Sequence, residues 1–273
     1  MTPVKLIATD LDGTLLDSSG KIPKRNMETI EEAMARGIAV TLCTGRMFSS
    51  AKSFAEQAGI KIPFVCYNGA MTIRPDGEQI WHLPLDMDIA LELLESLRPR
   101  NLHVQSYIGD VLYVKSADAG LFQEYVKYFG IIGKVIGDDV YAPKVPPTKL
   151  LIMTDTAEEA APLADELRGR FGEKLYVTRS NSNFVETMNP NANKANGLAR
   201  VAEILGVKMD EVMAIGDGEN DAEMVARAGV GVAMENGEDK IKQAAKHIAP
   251  PNDEYGFSWA VGKFALNKQG QGD

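Results

Sequence analysis

Two aspartates stand two residues apart at the end of an apolar run: Asp10 and Asp12, in DLDGT after VKLIAT. Carboxylates this close repel unless a cation or a proton holds them together. A magnesium ion suits an all-oxygen ligand set. Asp10 could then serve as a covalent carboxylate nucleophile on phosphorus. Asp12 could protonate the leaving alkoxide and later deprotonate water. Gly13 lets the chain turn. Taken alone, the same residues also make an ordinary Asx-type turn.

Three further groups give the pair its company. Thr44-Gly45-Arg46 follows IAVTLC, where a hydroxyl and a backbone N–H at a helix entry form an anion cradle or a plain N-cap. Asn68-Gly69 after PFVC is a weaker version of the same signal. Lys194 follows NPNAN at a helix start and can pair with phosphate while offsetting crowded carboxylates, although most single lysines are solvated. Gly216-Asp217-Gly218-Glu219-Asn220-Asp221 follows VMAI and brings a second carboxylate cluster and an amide. It is not an EF-hand loop, because Ala222 stands where glycine is needed and no glutamate occupies the twelfth position. All four groups end or adjoin apolar runs, and sites in open α/β sheets form at the carboxyl ends of strands.

The elements that would position them alternate in period. Strands are predicted at 4–9, 38–43 and 63–66, with helices at 23–36 and 48–58, as parallel βαβ units. The middle changes character: helix 86–97, strands 102–107 and 111–115, helix 119–129, a Gly-, Asp- and Pro-rich loop 130–147, strand 148–153, helix 157–171, strands 174–178 and 184–188. Short turns between neighbouring strands there imply antiparallel pairing. The first pattern then returns with helices 195–205, 222–228 and 239–246, strands 212–215 and 230–233, and a frayed polar end. The fold expected is α/β, a Rossmann-like parallel-sheet core (1–82 and 190–273) interrupted by an α+β insertion (83–189).

DLDGT, Thr44, Lys194 and GDGEND, in that order, resemble the four motifs of the haloacid dehalogenase-like hydrolase superfamily. The place of the insertion is similar to the α/β cap of its Cof-type subfamily (IIB), and the resemblance covers nearly the whole chain. It implies a Mg²⁺-dependent phosphatase, a phosphoric monoester hydrolase acting on small phosphorylated metabolites, sugar phosphates or similar, through an aspartyl phosphate on Asp10, with Asp12 as general acid and base. It further implies that the metal is held by Asp10, the Asp12 backbone carbonyl and Asp217, with Asp221 in support. Phosphate would be held by Leu11, Thr44, Gly45, Lys194 and Asn220. Ala195 stands where relatives usually carry glycine, a change a helix start tolerates. Asp12 favours phosphoryl transfer over dehalogenation, since an alkoxide leaving group needs a proton.

Composition narrows the partners. The net charge is −9 and Lys and Arg form no run, so nucleic acid and anionic membranes are not expected partners. No apolar run reaches the ~20 residues of a membrane span, and no signal peptide is expected. Cys43 and Cys66 read as reduced core thiols, in keeping with a cytoplasmic protein. His82, His103 and His247 share no motif and read as packing or surface. GVGVAM lacks the third glycine of a dinucleotide fingerprint. Two rivals remain: a phosphohexomutase, which returns the phosphate to a sugar, and a receiver-like phospho-aspartate signalling domain. The receiver reading fits poorly with the inserted domain and with GDGEND. Neither the substrate nor the oligomeric state is legible, and the cap segment 130–147 is the place to expect selectivity.

Overall fold

The runs LIAT, VMAIG and VGVAM are buried at every position, the pattern of strands covered on both faces. The structure, a computed structural model, describes residues 2–268 except 101 and 118–119. In chain order the first part contains β1 (Leu6–Thr9), α1 (Lys24–Ala35), β2 (Ala39–Leu42), α2 (Phe48–Gln57), β3 (Phe64–Cys66), β4 (Met71–Ile73) and β5 (Gln79–His82). The inserted part contains α3 (Met87–Leu97), β6 (His103–Ile108), β7 (Val111–Val114), α4 (Gly120–Phe129), β8 (Gly133–Val135), β9 (Lys149–Met153), α5 (Ala157–Phe171), β10 (Tyr176–Asn181) and β11 (Phe184–Met188). The last part contains α6 (Lys194–Ile204), β12 (Val212–Gly216), α7 (Ala222–Arg227), β13 (Val230–Met234), α8 (Asp239–Ala244), β14 (His247–Ala249) and α9 (Gly256–Phe264).

Among the described residues these strands form a five-stranded sheet in the order β14-β13-β12-β1-β2, a six-stranded sheet in the order β10-β11-β9-β6-β7-β8, and a three-stranded sheet β3-β4-β5. Every pairing in the five-stranded sheet is parallel. Its register sets Thr9 beside Ile215, and the Asp10 N–H donates to the Ile215 carbonyl at 3.0 Å. The loops DLDGT and GDGEND therefore leave neighbouring strands side by side. The expected α/β core with an inserted α+β cap is the architecture found.

The cap sheet is antiparallel apart from β7–β8. Leu93, Leu94 and Leu97 of α3 and Leu163 and Leu167 of α5 bury one of its faces. Tyr107, Leu151 and Met188 belong instead to the apolar cluster that continues into the parallel-sheet part, together with Phe122 and Tyr125 of α4.

Four local expectations change. The strand expected at 63–66 does not extend the parallel sheet. It meets that sheet only at a Cys43–Val65 bridge and pairs antiparallel with β4, because Asn68 (φ 52°) and Gly69 (φ 97°) turn the chain back. The loop expected at 130–147 contains β8 and a turn of 3₁₀ helix, Gly137–Tyr141. The strand expected at 174–178 begins later, at Tyr176. The chain beyond 246 carries β14 and α9, and α9 buries Phe257, Ala260 and Val261 in the same cluster as Ile30 and Ala33 of α1. The start of the helix expected at 119 and the polar end from 269 lie outside the described residues.

His82 bonds the Thr148 hydroxyl, His103 lies against Phe122, and His247 stacks on Phe264. Each histidine is part of the packing. Both cysteines are free and buried. No helix among the described residues is long and apolar enough to cross a membrane.

Candidate active site

The floor of the site is built at the ends of β1 and β12 and the start of α6. One carboxylate oxygen each from Asp10, Asp217 and Asp221 lies within 4.8 Å of the others. Lys194, fully buried, places its Nζ 3.0 Å from Asp10 Oδ1 and 2.6 Å from Asp221 Oδ1. The Asp217 and Gly218 N–H groups donate to Asp221 Oδ2 at 3.1 and 3.0 Å, and the Thr14 hydroxyl donates to Asp217 Oδ1 at 2.7 Å. Gly13 makes this closeness possible. Its φ is +72°, and a Cβ there would lie 2.2 Å from Asp217 Oδ2.

The electrostatics follow from crowding. Burial pushes the Asp10 carboxyl well above its ordinary range, and Asp221, Asp217 and Asp12 push it further against the pull of Lys194. Burial and then Asp221 raise Asp217 to about 7. Burial alone would lower Lys194, but Asp10 and Asp221 hold it protonated and above its usual value. One ammonium is thus set against three carboxylates. An all-oxygen set with a deficit of positive charge matches the donor chemistry of a hard divalent cation, and Mg²⁺ fits it.

Asp12 belongs to a different group. Its carboxylate turns to Arg46, which donates from Nε and Nη2 at 2.8 and 2.6 Å in a two-point fork. The guanidinium lies over the rings of Phe54 (4.8 Å), Phe129 (4.7 Å) and Tyr128 (5.5 Å). The Tyr128 hydroxyl donates to Asp12 Oδ1 at 3.0 Å, and burial followed by the charge of Asp12 pushes that phenol up to about 12. A cap helix therefore touches a carboxylate of the core.

A cavity of about 380 Å³ opens above the floor, lined on the core side by Asp10, Asp12, Gly45, Arg46, Asp217 and Asn220. Of the residues singled out in the sequence, Leu11, Thr44 and Lys194 are fully buried and do not line it. The Thr44 hydroxyl accepts from the Arg46 N–H at 3.1 Å, and its own N–H donates to the Val65 carbonyl at 2.9 Å. Asn220 donates to Asn68 Oδ1 at 2.9 Å, and Asn68 in turn donates to Glu186 of the cap. Gly45 leaves room for this amide, since a Cβ would stand 2.8 Å from Asn68 Oδ1 and push that side chain aside.

Sequence reasoning missed the cap side. The cavity is lined by α4, β9 and β11, through residues such as Tyr125, Tyr128, Phe129, Lys149, Phe184 and Glu186, and by no residue of 130–147. The ion pair Lys149–Glu186 (2.9 Å) is nearly inaccessible, and Lys149 also donates to the Gly45 carbonyl at 3.0 Å. A signal existed: KLLIM and FVETM each set one charge in an otherwise apolar strand, and buried charges are rarely unpaired. The Arg46 role was equally hidden, because nothing local marks its reach to Asp12.

The family model of haloacid dehalogenase-like hydrolases matches residues 7–261. The chain belongs to that family. This hydrolase is 30% identical to the 5-amino-6-(5-phospho-D-ribitylamino)uracil phosphatase YitU of Bacillus subtilis, over 93% of this chain and 94% of the relative. It is 28% identical to the putative phosphatase YxeH of the same organism, over 97% and 99% of the two chains. A haloacid dehalogenase-like hydrolase from Bacteroides thetaiotaomicron superposes with a TM-score of 0.83 at 31% identity, over 95% of this chain and 99% of the other. The Cof-type resemblance read from the motifs agrees with these findings, and the enzyme is a phosphoric monoester hydrolase.

Proposed function

We propose that this enzyme is a Mg²⁺-dependent phosphatase of small phosphorylated metabolites, sugar phosphates or similar compounds, working through an aspartyl phosphate on Asp10. The observation that carries the reading is the convergence of Asp10, Asp217 and Asp221 on one point, with Lys194 beneath them and a cavity between core and cap above. Asp10, Asp217 and the Asp12 backbone carbonyl would hold the ion, with Asp221 in support. When bound, Mg²⁺ neutralises phosphate charge and lets an anionic ester approach an anionic nucleophile.

The chain's own residues do the rest. Asp10 attacks phosphorus in line, and the bond to the ester oxygen breaks. Asp12 delivers the proton that the departing alkoxide needs, then takes one from the water that hydrolyses the aspartyl phosphate. Arg46 and Tyr128 fix the direction of the Asp12 carboxylate. Gly45, through its backbone, and Asn220 flank the phosphate position, while Leu11, Thr44 and Lys194 shape it from behind. The cap covers one side of this space and would limit water around a bound ester. We place the core at 1–82 and 190–273 and the cap at 83–189. The two buried thiols support a cytoplasmic setting.

The test is phosphate release from a panel of small esters, with Mg²⁺ or EDTA, for wild type and Asp10→Asn. Release that needs Mg²⁺ and falls about a thousandfold or more in D10N is expected. Isomerised sugar phosphate without free phosphate would replace this reading with the mutase.

A further inference from the structure

We infer that the substrate's leaving group carries no negative charge of its own: the site takes monophosphates of neutral polyols with a flat or apolar face, and rejects bisphosphates and phosphorylated carboxylic acids. The inference rests on the phosphatase reading above, which puts the single phosphate at the Asp10 end.

The side of the cavity facing the core is formed by the cap. Its surface there is aromatic: Tyr125, Tyr128, Phe129 and Phe184 line it. They brace one another, with Tyr125 4.4 Å from Phe129 and 5.5 Å from Phe184, and Tyr128 at 4.9 Å from Phe129, centroid to centroid. Such a wall covers carbon faces of a ring or a reduced sugar chain.

The charges settle the sign. Two cations are found among the described residues lining the cavity, and both are engaged. Arg46 forks onto Asp12. Lys149 bonds Glu186 and the Gly45 carbonyl and is only 2% exposed in its side chain. What remains on the cap side is Asn183, whose amide donates to the Thr154 carbonyl at 3.3 Å, and Glu124, an exposed carboxylate on α4 that also lines the space. A second phosphate or a carboxylate needs a guanidinium fork or a set of N–H donors. Here it would meet Glu124, with no free cation among the described cap residues lining the cavity to offset the repulsion. Hydroxyl groups instead can donate to that carboxylate. At about 380 Å³ the cavity is also near the lower end of ligand sites, roughly 300–1,000 Å³, a size that suits a small ester.

The experiment uses matched pairs that differ in one anionic group: glycerol 3-phosphate against 3-phosphoglycerate, which adds one carboxylate, and fructose 6-phosphate against its 1,6-bisphosphate, which adds a phosphate of about −1.5 to −2 charge. Each compound is scored as a substrate and as a competitor of 4-nitrophenyl phosphate, at saturating Mg²⁺ and fixed ionic strength. The neutral member should lead in kcat/KM or in inhibition constant by about tenfold or more, the order expected for one like charge at close range. Glu124→Lys should shrink that gap several-fold by improving the anionic member. The inference is overturned if wild type handles the anionic member as well as the neutral one, or if neither member of either pair reacts or competes. An unchanged gap in E124K overturns the assignment to Glu124. Failure to hydrolyse even the aryl ester would remove the phosphatase reading itself, a result distinguishable from all of these.

Discussion

At the residue scale the site is a problem of like charges solved by one lysine and an open demand for more positive charge. This fixes a pH dependence. In the metal-free protein the folded state holds the Asp217 proton up to about 7, against an ordinary 3.8. A raised carboxyl pKa contributes stability that is complete below the unfolded value and is lost as pH rises through the folded one. The EDTA-treated protein should therefore lose melting temperature from this group between about pH 5 and about pH 8, and Mg²⁺, which competes with that proton, should raise Tm more at the upper value. Equal Mg²⁺ gains at both pH values would refute it. Arg46 offers a second test. Lysine keeps the charge but cannot make the two-point fork on Asp12, so Arg46→Lys should lower kcat about tenfold while leaving KM closer to wild type. A change in KM alone would show that Arg46 only binds substrate. The acidic motifs were legible because Asp-x-Asp and GDGEND sit at strand ends in the sequence itself. Arg46, Lys149 and Glu186 were not, since each acts on a residue distant in the chain and carries no local signature.

At the element scale, apolar period and glycine stops were enough to place the βαβ units. Gly37, Gly59 and Gly206 each take positive φ just past a helix, as a helix end marked by glycine requires. Short elements escaped. The strand GKV has one β-branched residue, and α9 begins from Tyr255 in a left-handed conformation (φ 60°) with no Ser, Thr or Asp cap to announce it. One contact between elements carries a prediction. Asp110, in the β6–β7 turn of the cap, accepts the Phe48 and Ser49 N–H groups at 2.9 Å each and the Tyr67 hydroxyl at 2.7 Å. It thus caps α2, a helix of the core. Asp110→Ala should cost about 1–2 kcal/mol in chemical denaturation, the range for a lost N-cap, and should raise KM because the same bond holds the cap down. Unchanged denaturation would count against the capping role.

At the scale of the whole molecule, charge sets the approach of substrate. The net charge of −9 repels a phosphate ester at long range, and salt screens that repulsion within a Debye length of about 8–10 Å. At saturating Mg²⁺, kcat/KM should rise by about twofold between low and physiological ionic strength before competing anions reverse the trend. A steady fall from the lowest salt upward would instead indicate a local field that attracts anions. The fold class was readable at this scale because the change from alternating to antiparallel patterning brackets the insertion. The packing of the insertion onto the core was not, because long-range contacts leave no periodic trace in a sequence.

The Asp110 contact also bears on modularity. The two parts look exchangeable on paper, since the cap enters and leaves the core at neighbouring points in space, where the Asn189 amide donates to the Pro84 carbonyl at 3.0 Å. Yet α2 borrows its first-turn acceptor from the cap, Ser50 donates to the Phe129 carbonyl of α4, and one apolar cluster runs through both halves. A chimera carrying a foreign cap inherits an open helix end and a bare aromatic surface unless its own hairpin presents an acceptor at the same point. Shuffling caps among relatives is therefore a problem of matching one turn before it is one of matching substrates.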